Sequence, residues 1–186
     1  MKIMKSINKK VKKGFSLLEL AMVLVVGAIM LAGVMMYYNN VTVNQKTQDA
    51  ISELAVIQEA VRSLGAGHNG YDWVTSSLVA QSGEIPNKWI TGSNVTGGNF
   101  SGASGISNPF SGTVDITSSN GGQTFKVEYN NVPTQACSKM VVMDLGSGVY
   151  DMSIGGDTVN GTALTPNQAS TACSKSQRVN LYWDFY

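Results

Sequence analysis

The chain has 186 residues, 43% of them hydrophobic and only 13% charged, with 20 Gly, two Cys and one His; at about 150 residues per domain that is one domain plus something extra. Six of the thirteen basic residues (Lys2, Lys5, Lys9, Lys10, Lys12, Lys13) lie in the first thirteen positions, leaving seven basic against twelve acidic residues in the rest, a net charge of −5. That balance disfavours nucleic acid as a partner, which needs clustered Lys and Arg, and one His with two Cys cannot complete a structural zinc site or offer more than His68 to a His-dependent triad.

In chain order, the polar, lysine-rich residues 1–13 precede Leu20–Tyr38, nineteen residues without a charge. That run is long enough for a membrane helix. The basic flank should stay cytoplasmic, with everything after Tyr38 across the membrane. The apolar core is too long for an ordinary secretory signal, and Tyr37-Tyr38-Asn39-Asn40 is no small-residue cleavage site. The conspicuous junction lies before the run, at Lys13-Gly14-Phe15-Ser16-Leu17-Leu18-Glu19. A carboxylate at the edge of hydrocarbon is costly unless it is paired or reaches the interface. Glu19 therefore has two readings. It is an interfacial residue of a simple anchor, or, if the chain is cut after Gly14, the new Phe15 ammonium four residues earlier neutralises such a carboxylate.

The run continues without Pro into an amphipathic segment. Ala50, Ile51, Leu54, Ile57, Val61 and Leu64 recur at spacings of three and four, while Gln45, Gln48, Asp49, Ser52, Glu53, Glu59 and Arg62 fill the polar side. Gly65-Ala66-Gly67 stops the pattern. The spacing predicts one helix over 15–64, about 75 Å at 1.5 Å per residue, too long for a compact domain to bury. Gly27 and Gly33, with Ala28 and Ala32, form either a small-residue face for close helix approach or the ordinary Gly and Ala content of membrane helices.

Beyond Gly65 the chain turns to short β-like runs. Thr113–Thr117 and Thr124–Tyr129 alternate around Asn120-Gly121-Gly122 and read as a hairpin. Met140–Met143 is a further apolar run, and Val179–Trp183 alternates near the C-terminus. Residues 72–82 and 166–174 read as short helices, the second capped by Thr165 before Pro166. Residues 91–108, rich in Gly, Ser, Asn and Thr, read as a surface loop. The expected class is α+β: a long N-terminal α-helix packed on an antiparallel β-sheet. Cys137 and Cys173 lie on the exported side, where a disulfide bounding the C-terminal region is the default.

Lys-Lys-Gly-Phe-Ser-Leu-Leu-Glu followed by about twenty apolar residues resembles the prepilin signal of type IV pilins and type II secretion pseudopilins. Arg62-Ser63-Leu64-Gly65, Asn108-Pro109-Phe110-Ser111-Gly112, Thr134-Gln135-Ala136-Cys137 and Leu164-Thr165-Pro166 with Ala172-Cys173 resemble the type IVb subgroup of toxin-coregulated and bundle-forming pilins. The resemblance implies a leader, residues 1–14, removed by prepilin peptidase between Gly14 and Phe15. It implies N-methylation of Phe15, a membrane and filament-core segment at 15–38, and a head at 39–186 that includes the amphipathic half of the helix at 39–64. Glu19 would set subunit register by pairing with the N-terminal amine of a neighbour. The implied role is the major pilin of a type IVb pilus, used for adhesion, aggregation or mating contact; the alternative is a minor pilin or type II secretion pseudopilin. Its implied partners are other copies of the chain in a helical filament, the peptidase, and an inner-membrane assembly platform with its ATPase. The precursor would sit in the inner membrane with its head in the periplasm, and the assembled subunit in an extracellular pilus. No cofactor, metal or catalytic residue is expected.

Other features read as structural. Gly65-Ala66-Gly67-His68-Asn69-Gly70 matches G-x-G-x-x-G, but a dinucleotide site must follow a strand and open a helix, and this one follows a helix. His68 is then a solvated loop residue. Asp144, Asp151 and Asp157 fit no EF-hand spacing. Trp73, Trp89 and Trp183 read as core or intersubunit packing.

Overall fold

The computed structural model describes residues 14, 16–92, 102–146, 148–159 and 163–186. Helix α1, Leu17–Gly65, is continuous over 49 residues, because it contains no Pro and its glycines stand singly, each costing about 1 kcal/mol relative to Ala. Ser16 starts it. Its hydroxyl accepts from the Leu18 N–H at 3.3 Å, and its carbonyl accepts from the Glu19 and Leu20 N–H groups at 3.0 and 3.1 Å, which meets the first-turn donors. Gly67, at φ 96°, supplies the left-handed residue just beyond the end.

The chain divides into two units, Met1–Val41 and Thr42–Tyr186. In the second, α1 buries Thr47, Ala50, Glu53, Leu54, Ile57, Ala60 and Val61. That stripe repeats every three or four residues and packs against a seven-stranded sheet of order β1-β2-β3-β4-β7-β5-β6. The strands are β1 Ile90–Gly92, β2 Ala103–Ser107, β3 Thr113–Ser119, β4 Thr124–Pro133, β5 Val149–Ile154, β6 Asp157–Val159 and β7 Arg178–Phe185. All pairings are antiparallel. Alternation puts Val114 and Ile116, Phe125, Val127 and Tyr129, Leu181, Trp183 and Phe185, and Met152 and Ile154 into the core. The last strand lies between β4 and β5, where Trp183 pairs with Val127 on one side and Met152 on the other.

The expected β3–β4 hairpin is present, closed by a 3-10 turn at Asn120–Gly122. Three local expectations need correction. Met140–Met143 is not a strand: Thr134–Met140 is helix α3, and Val141 donates to the Cys137 carbonyl to end it. Four apolar residues fit a helix end as well as a strand. Within 72–82 only Ser76–Gln81 is helical, α2, capped by the Thr75 hydroxyl. The segment 91–108 is not one loop. Thr91 and Gly92 belong to β1 and Ala103–Ser107 to β2, short strands at one side of the sheet whose order comes from pairing, β2 onto β3 and β1 onto β2; residues 93–101 lie outside the described ones. A further hairpin, β5–β6, is closed by Gly155-Gly156 at φ 59° and 96°, the two-residue turn such a hairpin requires.

The β2–β3 turn, Asn108-Pro109-Phe110-Ser111-Gly112, is tied to β4 by one buried side chain. Asn108 Nδ2 donates to the Asn130 carbonyl at 2.7 Å and the Thr113 carbonyl at 3.4 Å, and its Oδ1 accepts from the Phe110 and Gly112 N–H groups at 2.9 and 3.0 Å. Gly112 is obligatory for steric reasons, since a Cβ there would sit 1.9 Å from the Asn130 carbonyl oxygen. Gly112→Ala is expected to destabilise the protein by about 2–4 kcal/mol, because backbone rather than a flexible side chain must move; the denaturant midpoint of the variant against wild type measures it.

Candidate functional site

From Leu17 to Tyr38 the large apolar side chains of α1 are exposed, from 52% at Val26 to 87% at Leu17. The helix is long and apolar enough to cross a membrane, and its backbone hydrogen bonds are internal, as hydrocarbon demands. A continuous apolar surface of this extent marks a membrane or protein interface. Glu19 is exposed and is the acidic residue of the first turn, where the helix dipole favours a carboxylate. Gly14 is exposed, with nothing within 4 Å of where a Cβ would stand. Phe15 and the leader residues 1–13 lie outside the described residues. Gly27 and Gly33 also have open space around them, so packing within the chain does not call for glycine at either position.

In the second unit, Cys137 of α3 and Cys173, the last residue of α4 (Pro166–Cys173), form a disulfide with their Cα atoms 5.9 Å apart. Both are fully buried. Helix α4 starts as the Thr165-Pro166 pair implies, with Pro166 in the first turn and the Thr165 N–H donating to Gln168 Oε1 at 3.0 Å. The bridge thus joins the segment after β4 to the segment before β7, the two central strands.

His68 is exposed in the turn after α1, its ring 5.6 Å from that of Trp73. This glycine-rich turn is structural. Gly70 is at φ 106°, and a Cβ on it would lie 2.8 Å from the Gly122 carbonyl oxygen, which accepts from the Tyr71 N–H at 2.7 Å. Trp183 and Trp89 are core residues, at 1% and 8% exposure.

Glu53 departs from its expected place on the polar side of α1. It is completely buried, and neither carboxyl oxygen meets a donor with hydrogen-bond geometry among the described residues. Burial pushes its carboxyl up to about 8, against smaller opposing effects of Tyr129 and Lys88. Burial likewise drives the Tyr129 hydroxyl well above its ordinary value, with Glu53 adding to the shift. The position could have been read from spacing alone. Residue 53 is three beyond Ala50 and four before Ile57, hence on the buried stripe.

An apolar helix that runs into a helix-on-sheet head with a disulfide-bounded C-terminal region is the architecture of type IV pilins. The fold matches a type IVb pilin from Salmonella typhi with a TM-score of 0.56 at 19% identity, covering 73% of this chain and 99% of the other. It matches TcpA, a type IV pilin from Vibrio cholerae El Tor biotype, with a TM-score of 0.50 at 13% identity, covering 76% and 99%. Residues 9–35 match the prokaryotic N-terminal methylation motif. Residues 44–183 match the PilS N-terminal model, and the chain belongs to that family of pilins. Over 194 aligned residues it is 29% identical to the major structural subunit of bundle-forming pilus from Escherichia coli O127:H6 (strain E2348/69 / EPEC), with 96% of each chain covered. The corresponding subunit from Escherichia coli O111:H- matches over the same span at the same identity.

Replacing both Cys137 and Cys173 with Ala removes a bridge that closes 36 residues of sequence separation. On the chain-entropy model the loss is about 4 kcal/mol. Chemical denaturation of the oxidised full-length protein and of the double variant in the same detergent should differ by that order.

Proposed function

We propose that the chain is the major structural subunit of a type IVb pilus and that it acts by assembly, not catalysis. The observation that carries this reading is the exposed apolar run Leu17–Tyr38, broken by one carboxylate, Glu19, in the first turn. Nothing in a soluble monomer holds such a surface, whereas a bilayer and then a bundle of identical helices both bury it. Burial in the bundle contributes about 25 cal/mol for each Å² removed from water. The relatives of matching length, named as major structural subunits, favour the major over the minor or pseudopilin role.

In this reading residues 1–14 are the leader, 15–38 the membrane and filament-core segment and 39–186 the head, with its amphipathic helical half at 39–64. Prepilin peptidase cuts between Gly14 and Phe15, and Phe15 is N-methylated. The match to the N-terminal methylation motif supports both steps. Glu19 stands four residues after Phe15, one helical turn. In the lipid or in the bundle, where a lone carboxylate is costly, it is neutralised by the Phe15 ammonium of a neighbouring subunit, and that pairing fixes axial register. Basic residues before the run hold the leader on the cytoplasmic side, so the head faces the periplasm until an ATPase-driven platform in the inner membrane moves the subunit into the extracellular filament.

Glu19→Ala should leave cleavage intact and reduce filaments to a small fraction of wild type, scored by electron microscopy and by pilin in the sheared fraction. Normal piliation in that variant overturns the register role. Intact mass of sheared protein should correspond to a chain that starts at Phe15 and is about 14 Da heavier for one methyl group. Full-length protein confined to the membrane would make α1 a simple anchor.

A further inference from the structure

Glu53 is the one fully buried carboxyl among the described residues. It sits where α1 meets the sheet, and Tyr129 and Lys88 offset the cost of a buried charge there only in part. From β4, the Tyr129 hydroxyl is beside it but donates at 3.3 Å to the Ala50 carbonyl. From β7, Trp183 packs edge-on against Tyr129 with ring centroids 5.9 Å apart, and its Nε1 meets no acceptor among the described residues. From the 3-10 turn Asn87–Trp89, Lys88 is exposed and lies over the Trp89 ring, 4.9 Å from its centroid. On α1 itself, Asp49 adds a like charge. A neutral carboxylic acid is tolerated in such a site, whereas an unpaired carboxylate is not.

We propose that Glu53 is a proton-operated latch between α1 and the sheet: its neutral carboxylic acid keeps the helix docked against Tyr129, and loss of the proton loosens that docking. Ala50 and Ile57, one turn to either side of Glu53 on the helix, and Tyr129 beside it on the sheet then gain access to water first. The latch makes the cohesion of the head depend on the acidity of the medium it meets, independently of how the apolar half of α1 is used.

The direction follows from linkage. The carboxyl rises from an ordinary 4.5 to about 8 in the folded protein, so the folded state holds this proton more tightly than the unfolded state. The contribution is fully present below about 4.5, is lost progressively up to about 8, and is constant beyond. Burial also raises the Asp184 carboxyl, on β7 near Asp151 and Lys126, so wild type alone does not isolate the latch; the difference between wild type and Glu53→Gln does.

The experiment is amide hydrogen exchange and thermal unfolding of the full-length chain in one detergent, at several pH values from 5 to 9, for wild type and Glu53→Gln. At each pH the two proteins are compared with one another, which cancels the intrinsic pH dependence of exchange. Matched behaviour is expected at pH 5. Above it, exchange at 50–57 and 125–132 should become faster in wild type than in the variant, by on the order of tenfold per pH unit until about pH 8. The wild-type melting midpoint should fall below that of the variant over the same range. Parallel profiles, or a constant offset at every pH, overturn the proposal. Glu53→Leu is the second variant: should the Gln protein fail to fold, the Leu protein must lose less stability than wild type over this window, keeping only the part that Asp184 contributes, and a decline equal to wild type also overturns the latch.

Discussion

The structure depends on the fact that an α-helix satisfies its own backbone. Only for that reason can one element, α1, carry side chains suited to hydrocarbon over Leu17–Tyr38 and side chains suited to a protein core over Thr47–Val61. The hydrogen-bond ladder is the same in both halves, so the change of environment costs the backbone nothing. A strand with that much apolar surface would present unpaired N–H and C=O groups as well. The absence of proline keeps the ladder unbroken, and the Ser16 cap lets it begin beside Glu19.

The head is organised around the opposite problem, since a sheet needs neighbours for every strand. β4 and β7 carry most of the aromatic core: Phe125 stacks near Phe185 at 5.4 Å between centroids, and Tyr129 meets Trp183 edge-on. Both strands come late in the chain, yet they lie at the middle of the sheet with α1 across them. Pairing the last strand into the centre closes a long loop, a contact of the kind that forms late in folding. The Cys137–Cys173 bridge shortens that search by joining the exit of β4 to the approach of β7. Asn108 does comparable work at the other side of β4, where four hydrogen bonds hold the β2–β3 turn to Asn130 and to itself.

Glu53 is one of a few buried groups, with Thr124, Trp183 and Asp184, that leave a polar atom without a hydrogen-bond partner among the described residues. Buried polar atoms in native proteins are nearly all hydrogen-bonded, and Asn108 shows the head can meet that standard. A carboxyl with no donor in good hydrogen-bond geometry among the described residues therefore stabilises the head less than an apolar residue of similar size would.

Much of this protein is written locally. The charge-free run and the three-and-four spacing through Ile57 and Val61 specify an apolar and an amphipathic half of one helix without reference to any other part of the chain. The β3–β4 hairpin, the Thr165-Pro166 helix start and the Gly65-Ala66-Gly67 stop were legible too, because caps and turns are decided within a few residues. Tertiary structure alone decided β1 and β2, whose residues become strands only by pairing, β2 onto β3 and β1 onto β2. It alone decided the helical fate of Thr134–Met140, since a short apolar run satisfies either period, and the central place of β7, which no local signal encodes. Glu53 lay between the two. Its position in the stripe was periodic and readable, but whether a carboxyl would turn inwards depended on a sheet built from residues more than seventy positions away.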